Sequence, residues 1–157
     1  MTGKILAEIK QTRPFPSLEA EAAVNLVRTA DAVLRGMEAV LKPWALSVAQ
    51  FNALRILRGA GSAGLPCGEI AARMVTRDPD VTRLLDRLEA RGLIDRERDT
   101  ADRRVVLTRI RPAGLRILSQ VDGPLERANL RRLGPLGRKR LRQLVSLLEA
   151  VREDSDP

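Results

Sequence analysis

Histidine and tyrosine are absent from this 157-residue chain, which has one cysteine, one tryptophan and two phenylalanines. Without histidine the commonest general base is missing, as are the Ser–His and Cys–His nucleophile pairings. Only carboxylate or lysine schemes would remain to an enzyme, and no such constellation is found, so no catalytic function is expected. The single Cys67 rules out a disulfide framework within the chain, and with no histidine the usual zinc-ligand clusters are missing too. Neither a metal nor another cofactor is expected. No apolar run approaches the ~18–20 residues that span a bilayer, and residues 1–11 lack a signal-peptide core. A cytoplasmic chain without a membrane partner is expected.

What is present suits one globular domain over residues 1–157: 44% hydrophobic and 31% charged residues, close to folded-protein averages. Twenty-eight basic residues against twenty acidic give a net charge of +8, which points to a polyanionic partner. Residues 1–16, with Pro14 and Pro16, form an arm. Ser17 is then a good N-cap, with Glu19 and Glu21 favouring the positive helix end. Ala23, Val27, Ala30, Leu34, Met37 and Leu41 follow at alternating steps of four and three, a seam for core or for a second subunit. Pro43 ends this helix. Ser47 and Gln50 form a capping box for a second helix with Val48, Phe51, Leu54 and Leu57, stopped by the glycines at 59–64. A short third helix spans 69–74, and residues 75–77 are a tight link.

The fourth helix has the clearest limits: Asp78 as N-cap, Pro79 at the first helical position and Gly92 at the left-handed end. Val81, Leu84, Leu85 and Leu88 share one apolar face, which leaves Thr82, Arg83, Asp86 and Arg87 on the other. Residues 93–98 and 105–110 make an antiparallel hairpin around a charged tip at 99–102. Pro112 opens a helix through Leu115, Leu118 and Val121 that Gly123 and Pro124 are expected to kink or break. A last helix carries Leu141, Leu144, Leu148 and Val151.

The fold class is therefore mainly α with a small β-wing. A winged helix-turn-helix spans 47–111, flanked by helical regions at 17–42 and 112–152. In a helix-turn-helix the second helix enters the major groove with its N-terminal residues nearest the bases. Thr76, Arg77, Thr82, Arg83 and Arg87 are the candidate DNA contacts there. Arginine can fork onto guanine or phosphate, and threonine can reach either. The alternative is a solvated face with ion pairs such as Arg83 with Asp86 or Arg87 with Asp80. At the hairpin tip Asp102, Arg103 and Arg104 could serve a minor groove, whose narrow A·T stretches attract arginine. Asp102 would either orient an arginine or bond the backbone as turn aspartates do. Residues 77–111 hold ten basic and eight acidic residues, so specificity there must come from placement. A second run, Arg127, Arg131, Arg132, Arg138, Lys139, Arg140 and Arg142, is unrelieved by acid and reads as a solvated face or an anion site. Cys67, near a helix start, is a redox candidate.

The segments DVTRLLDRLEARGLIDR at 80–96 and DTADRRVVLTRIRPAG at 99–114 resemble the MarR family of bacterial regulators. VAQFNALRIL at 48–57 and GEIAARM at 68–74 are similar to that family's preceding helices. The resemblance implies a homodimer joined through the first and last two helices, the 17–42 and 112–152 regions, on double-stranded DNA. It also implies control by a small anionic, often phenolic, effector or by cysteine oxidation. Its helix contacts carry over to Thr82, Arg83 and Arg87, and its Asp-x-Arg wing motif to Asp102 and Arg104. Three positions depart from the pattern: Pro66 where a Ser or Thr cap is common, Arg111 before the fifth helix, and Pro124 within it. The expected function is a repressor released from a palindromic operator by its effector. The alternatives are a redox-sensing repressor using Cys67 and a winged-helix module for protein–protein contact; ligand-lining residues are not identifiable from spacing.

Overall fold

The structure, a computed structural model, describes residues 4–77 and 80–153. A short helix α1 (Ile5–Glu8) lies against α2 (Leu18–Leu41), the one element it meets substantially. The Ser17 hydroxyl accepts the Ala20 N–H and starts α2 as its residue type predicts. A 3₁₀ turn at Lys42–Trp44 contains Pro43, and α3 (Val48–Ala60) begins at the Ser47–Gln50 capping box, with both reciprocal bonds formed. A second 3₁₀ turn (Gly61–Ala63) leads to β1 (Leu65–Pro66), α4 (Cys67–Arg73) and α5 (Val81–Ala90). The hairpin β2 (Ile94–Arg98) and β3 (Val106–Ile110) is followed by α6 (Pro112–Leu133), a 3₁₀ turn and α7 (Gly137–Glu153).

The sheet has the order β1-β3-β2, antiparallel throughout, with Ile94 opposite Ile110 and Arg96 opposite Thr108. The sequence reading missed β1. Two residues cannot show an alternating pattern, and β1 exists because Leu65 and Pro66 meet Thr108 and Leu107 across the sheet.

One apolar cluster runs from Leu41 through Phe51, Leu54 and Leu57 of α3, Ile70 of α4 and Val81, Leu84, Leu85 and Leu88 of α5, to Leu118, Val121 and Leu125 of α6. The four α5 residues are those the spacing assigned to its inner face. α7 contributes no buried residue. Of the seam on α2, Leu41 is buried and Met37 packs against the core, but Ala23 and Ala30 are exposed and Val27 is 71% exposed.

Two expectations are corrected. α6 is not broken at Gly123 and Pro124; it runs unbroken through both. Proline removes one donor, the one that would meet the Gln120 carbonyl, while Val121 and Leu125 on either side are buried in the core, which keeps the helix continuous. The N-cap expected at Asp78, with Pro79 after it, lies outside the described residues. Within them the helix begins at Val81, and the Asp80 carboxylate caps it by accepting the Arg83 N–H at 3.0 Å. Pro66 and Arg111 precede α4 and α6 without a side-chain capping bond, as their residue types imply.

Candidate nucleic-acid interface

Because one face of α5 is buried, its other face is presented outward: Thr82, Arg83 and Arg87 are all exposed. Arg83 and Arg87 also line a hollow of about 260 Å³ between α5 and the start of α3, together with Ser47, Gln50 and Asp80. The link before α5 holds Thr76 and Arg77, both exposed. Asn52 of α3 fixes its start by accepting the Val75 N–H at 2.8 Å. Sequence reasoning did not find Asn52, since the bond spans 23 residues and Asn52 is one of several polar side chains on α3.

The wing tip is folded by its two aspartates. Asp99 accepts the Ala101 N–H at 3.1 Å and Asp102 accepts the Arg104 N–H at 3.0 Å, while the Asp99 and Val105 N–H groups bond Val105 and Asp102 carbonyls at 2.9 Å. Of the two roles open to Asp102, the backbone one is formed. Arg103 and Arg104 stand exposed beside it.

Helix and wing are joined by Arg96, which sequence reasoning left out. From β2 its Nε donates at 2.9 Å to Glu89 Oε2, and its Nη2 lies 2.5 Å from both Glu89 Oε2 and Asp86 Oδ1. The hydrogen bond it donates to Glu89, then that to Asp86 and the two negative charges, raise the Arg96 pKa above its ordinary value, against the opposing effect of burial. Asp86 is thus taken by the wing, and Arg83 forms no ion pair with it. At the far end of α5, Arg91 donates to the Trp44 and Ala45 carbonyls at 2.7 and 2.8 Å and ties the helix to the turn after α2.

Cys67 is half-buried at the start of α4, its Sγ 3.8 Å from Thr82 Oγ1. Among the described residues no three Cys, Asp or Glu side chains are grouped to hold a metal ion. In the basic run, Arg132 is drawn inward: it donates to the Ala32 carbonyl and lies over Gly36, where a Cβ would come within 2.8 Å of Nη2. That arginine serves to dock α6 on α2.

A family model described as MarR matches residues 46–106, the segment that holds this helix-turn-helix and most of the wing. The solved MarR transcription factor from Planctomyces limnophilus is 38% identical, with a TM-score of 0.66 over 87% of this chain and 98% of that one. The chain belongs to the MarR family. It is also similar to an uncharacterized HTH-type transcriptional regulator, YsmB, of Bacillus subtilis (strain 168): 34% identical over 82 residues, 52% of this chain. The match spans 55% of that curated relative's length. A transcriptional repressor, CouR, solved on a 23-mer DNA duplex, is 26% identical with a TM-score of 0.75, over 94% of this chain and 96% of that one. This MarR-family chain is therefore a transcription regulator with a DNA-binding winged helix. Among its described residues no helix is long and apolar enough to cross a membrane.

This MarR-family fold also contains a hollow of about 390 Å³ where α3, α6 and α7 meet, lined by Phe51, Arg55, Asp122, Leu125, Asn129 and Leu141 among others. The Arg55 guanidinium stands 5.8 Å over the Phe51 ring, and Arg58 forks onto Asp122 at 2.7 and 3.2 Å. Spacing could not find this cavity because its walls come from three separate helices.

Proposed function

We propose that this regulator is a homodimeric repressor that reads a palindromic operator and leaves it when an effector binds. The observation that carries the DNA contacts is the exposed polar face of α5 behind a fully buried apolar one. On this reading Thr76, Arg77, Thr82, Arg83 and Arg87 meet the major groove, and Arg103 and Arg104 meet the flanking minor groove, with Asp102 shaping the tip. Pairing of two copies is supported by apolar side chains that the single chain leaves exposed on α2, α6 and α7: Leu18, Val27, Leu130, Val145 and Leu147. The hollow between α3, α6 and α7 is the candidate effector site, its walls mixing Phe51, Leu125 and Leu141 with the polar Arg55, Asp122, Glu126 and Asn129.

The test is binding of duplex from the chain's own promoter region across a salt series. Affinity is expected to fall with added salt, by about 0.9 in log slope per phosphate neutralised. Arg83→Ala and Arg104→Ala are each expected to cost about 1–3 kcal/mol. Affinity indifferent to salt, or both variants binding like the parent, would falsify the contact assignment. Equal binding of unrelated duplex in competition would instead favour a protein-interaction module.

A further inference from the structure

The outward face of α5 carries a carboxylate in an awkward place. Asp86 stands three residues after Arg83, the spacing at which helix side chains form ion pairs. An arginine held by its own helix is a poorer ligand for DNA. Asp86 also stands three residues before Glu89, and like charges at that spacing repel. Arg96 answers both: reaching over from β2, its Nη2 lies 2.5 Å from a carboxylate oxygen of each, and its Nε bonds Glu89 as well. The Arg96 side chain is the best covered of the three, 25% exposed against 54% for Asp86 and 38% for Glu89. Its place is fixed by the strand pairing of Arg96 with the buried Thr108.

We propose that Arg96 is a positioning residue for DNA reading: by occupying Asp86 and Glu89 it leaves the Arg83 guanidinium to the nucleic acid. This rests on the DNA contacts assigned above. It gives the hairpin a second task besides carrying Arg103 and Arg104 to the duplex. The wing's inner strand sets the charge that the reading helix presents, so helix and wing are competent together.

The experiment measures promoter-duplex affinity of the full chain at fixed salt, with thermal melts alongside, for Arg96→Gln, Asp86→Asn, the double variant, and Arg96→Gln combined with Arg83→Gln. Arg96→Gln is expected to weaken binding roughly tenfold, of the order seen when one arginine contact is lost. Adding Asp86→Asn should recover most of that, because the carboxylate that captures Arg83 has gone, whereas Asp86→Asn alone should change affinity less than about threefold. With Arg83→Gln already present, Arg96→Gln should add little. If the double variant binds as weakly as Arg96→Gln, Arg96 merely holds the fold and the proposal is overturned. Unchanged binding by Arg96→Gln overturns it too. If Arg96→Gln does not fold, Arg96→Met carries the same cycle, because it keeps an apolar stem and offers neither charge nor donor to the two carboxylates. A parent chain that ignores duplex DNA overturns the DNA-contact reading itself, a result distinct from all of these.

Discussion

Gly114 leaves no room for a single added methyl group. It is buried in the first turn of α6, and a Cβ there would lie 2.6 Å from the Leu93 carbonyl oxygen and 2.8 Å from Ile110 Cγ1, at the base of the hairpin. The backbone oxygen cannot swing aside, so Gly114→Ala must push α6 off the wing. A loss of about 1–3 kcal/mol is expected from urea unfolding. Gly59, inside α3, provides the contrast: a Cβ there meets nothing within 4 Å. Gly59→Ala should therefore stabilise by about 0.5–1 kcal/mol in the same assay, through helix propensity alone. Nothing in the sequence separates the two, since the difference lies in what surrounds each one.

Among the elements, α6 shows how burial overrides a local rule. Pro124 costs this helix a hydrogen bond, yet the helix runs on because Val121 and Leu125 anchor it. Pro124→Ala should raise the unfolding free energy, by up to about 3 kcal/mol at constant protein concentration. At α2 the cap sets a pH response. Glu19 is held below its ordinary value by its own backbone N–H and then by the Ser17 hydroxyl. A depressed folded value means stabilisation fully present above the unfolded glutamate value and lost as pH falls below it through the lower folded one. Hydrogen-exchange protection factors in the first turn of α2, which divide out the intrinsic pH dependence of exchange, should therefore fall on acidification, and Ser17→Ala should remove much of that response. Protection factors that stay level as pH falls would show that the charge at this cap does not matter.

For the whole molecule, the decisive feature is where the core stops. The main cluster draws on the chain from Leu41 to Leu125, while α7 buries nothing and Leu147 is 66% exposed. A dimer should therefore unfold at a temperature that rises with protein concentration, by mass action. Leu147→Glu should shift sedimentation toward the monomer and flatten that dependence, while leaving the α3–α5 core intact. Retention of the full dimer by this variant would place the interface elsewhere. The mild net charge of residues 77–111 has a matching consequence: binding selectivity should depend on a few placed arginines more than on overall basicity.

Helices α2, α3 and α5, the capping residues Ser17 and Ser47, the hairpin and the outward set Thr82, Arg83 and Arg87 were determined by the sequence itself. Periodicity and capping act within about four residues, where the chain's own geometry brings the groups together. The turn role of Asp102 belongs here as well, since its bond to Arg104 spans two residues. Only the tertiary structure decided the partners of Arg96, the pairing of β1 with β3, the grip of Asn52 on the link before α5 and the continuity of α6 through Pro124. Those outcomes depend on which surfaces pack, over separations of seven residues for Arg96 to Glu89 and 23 for Asn52 to Val75. At that range the free energy of burial and of satisfying buried polar groups chooses the contact, and no local pattern records the choice.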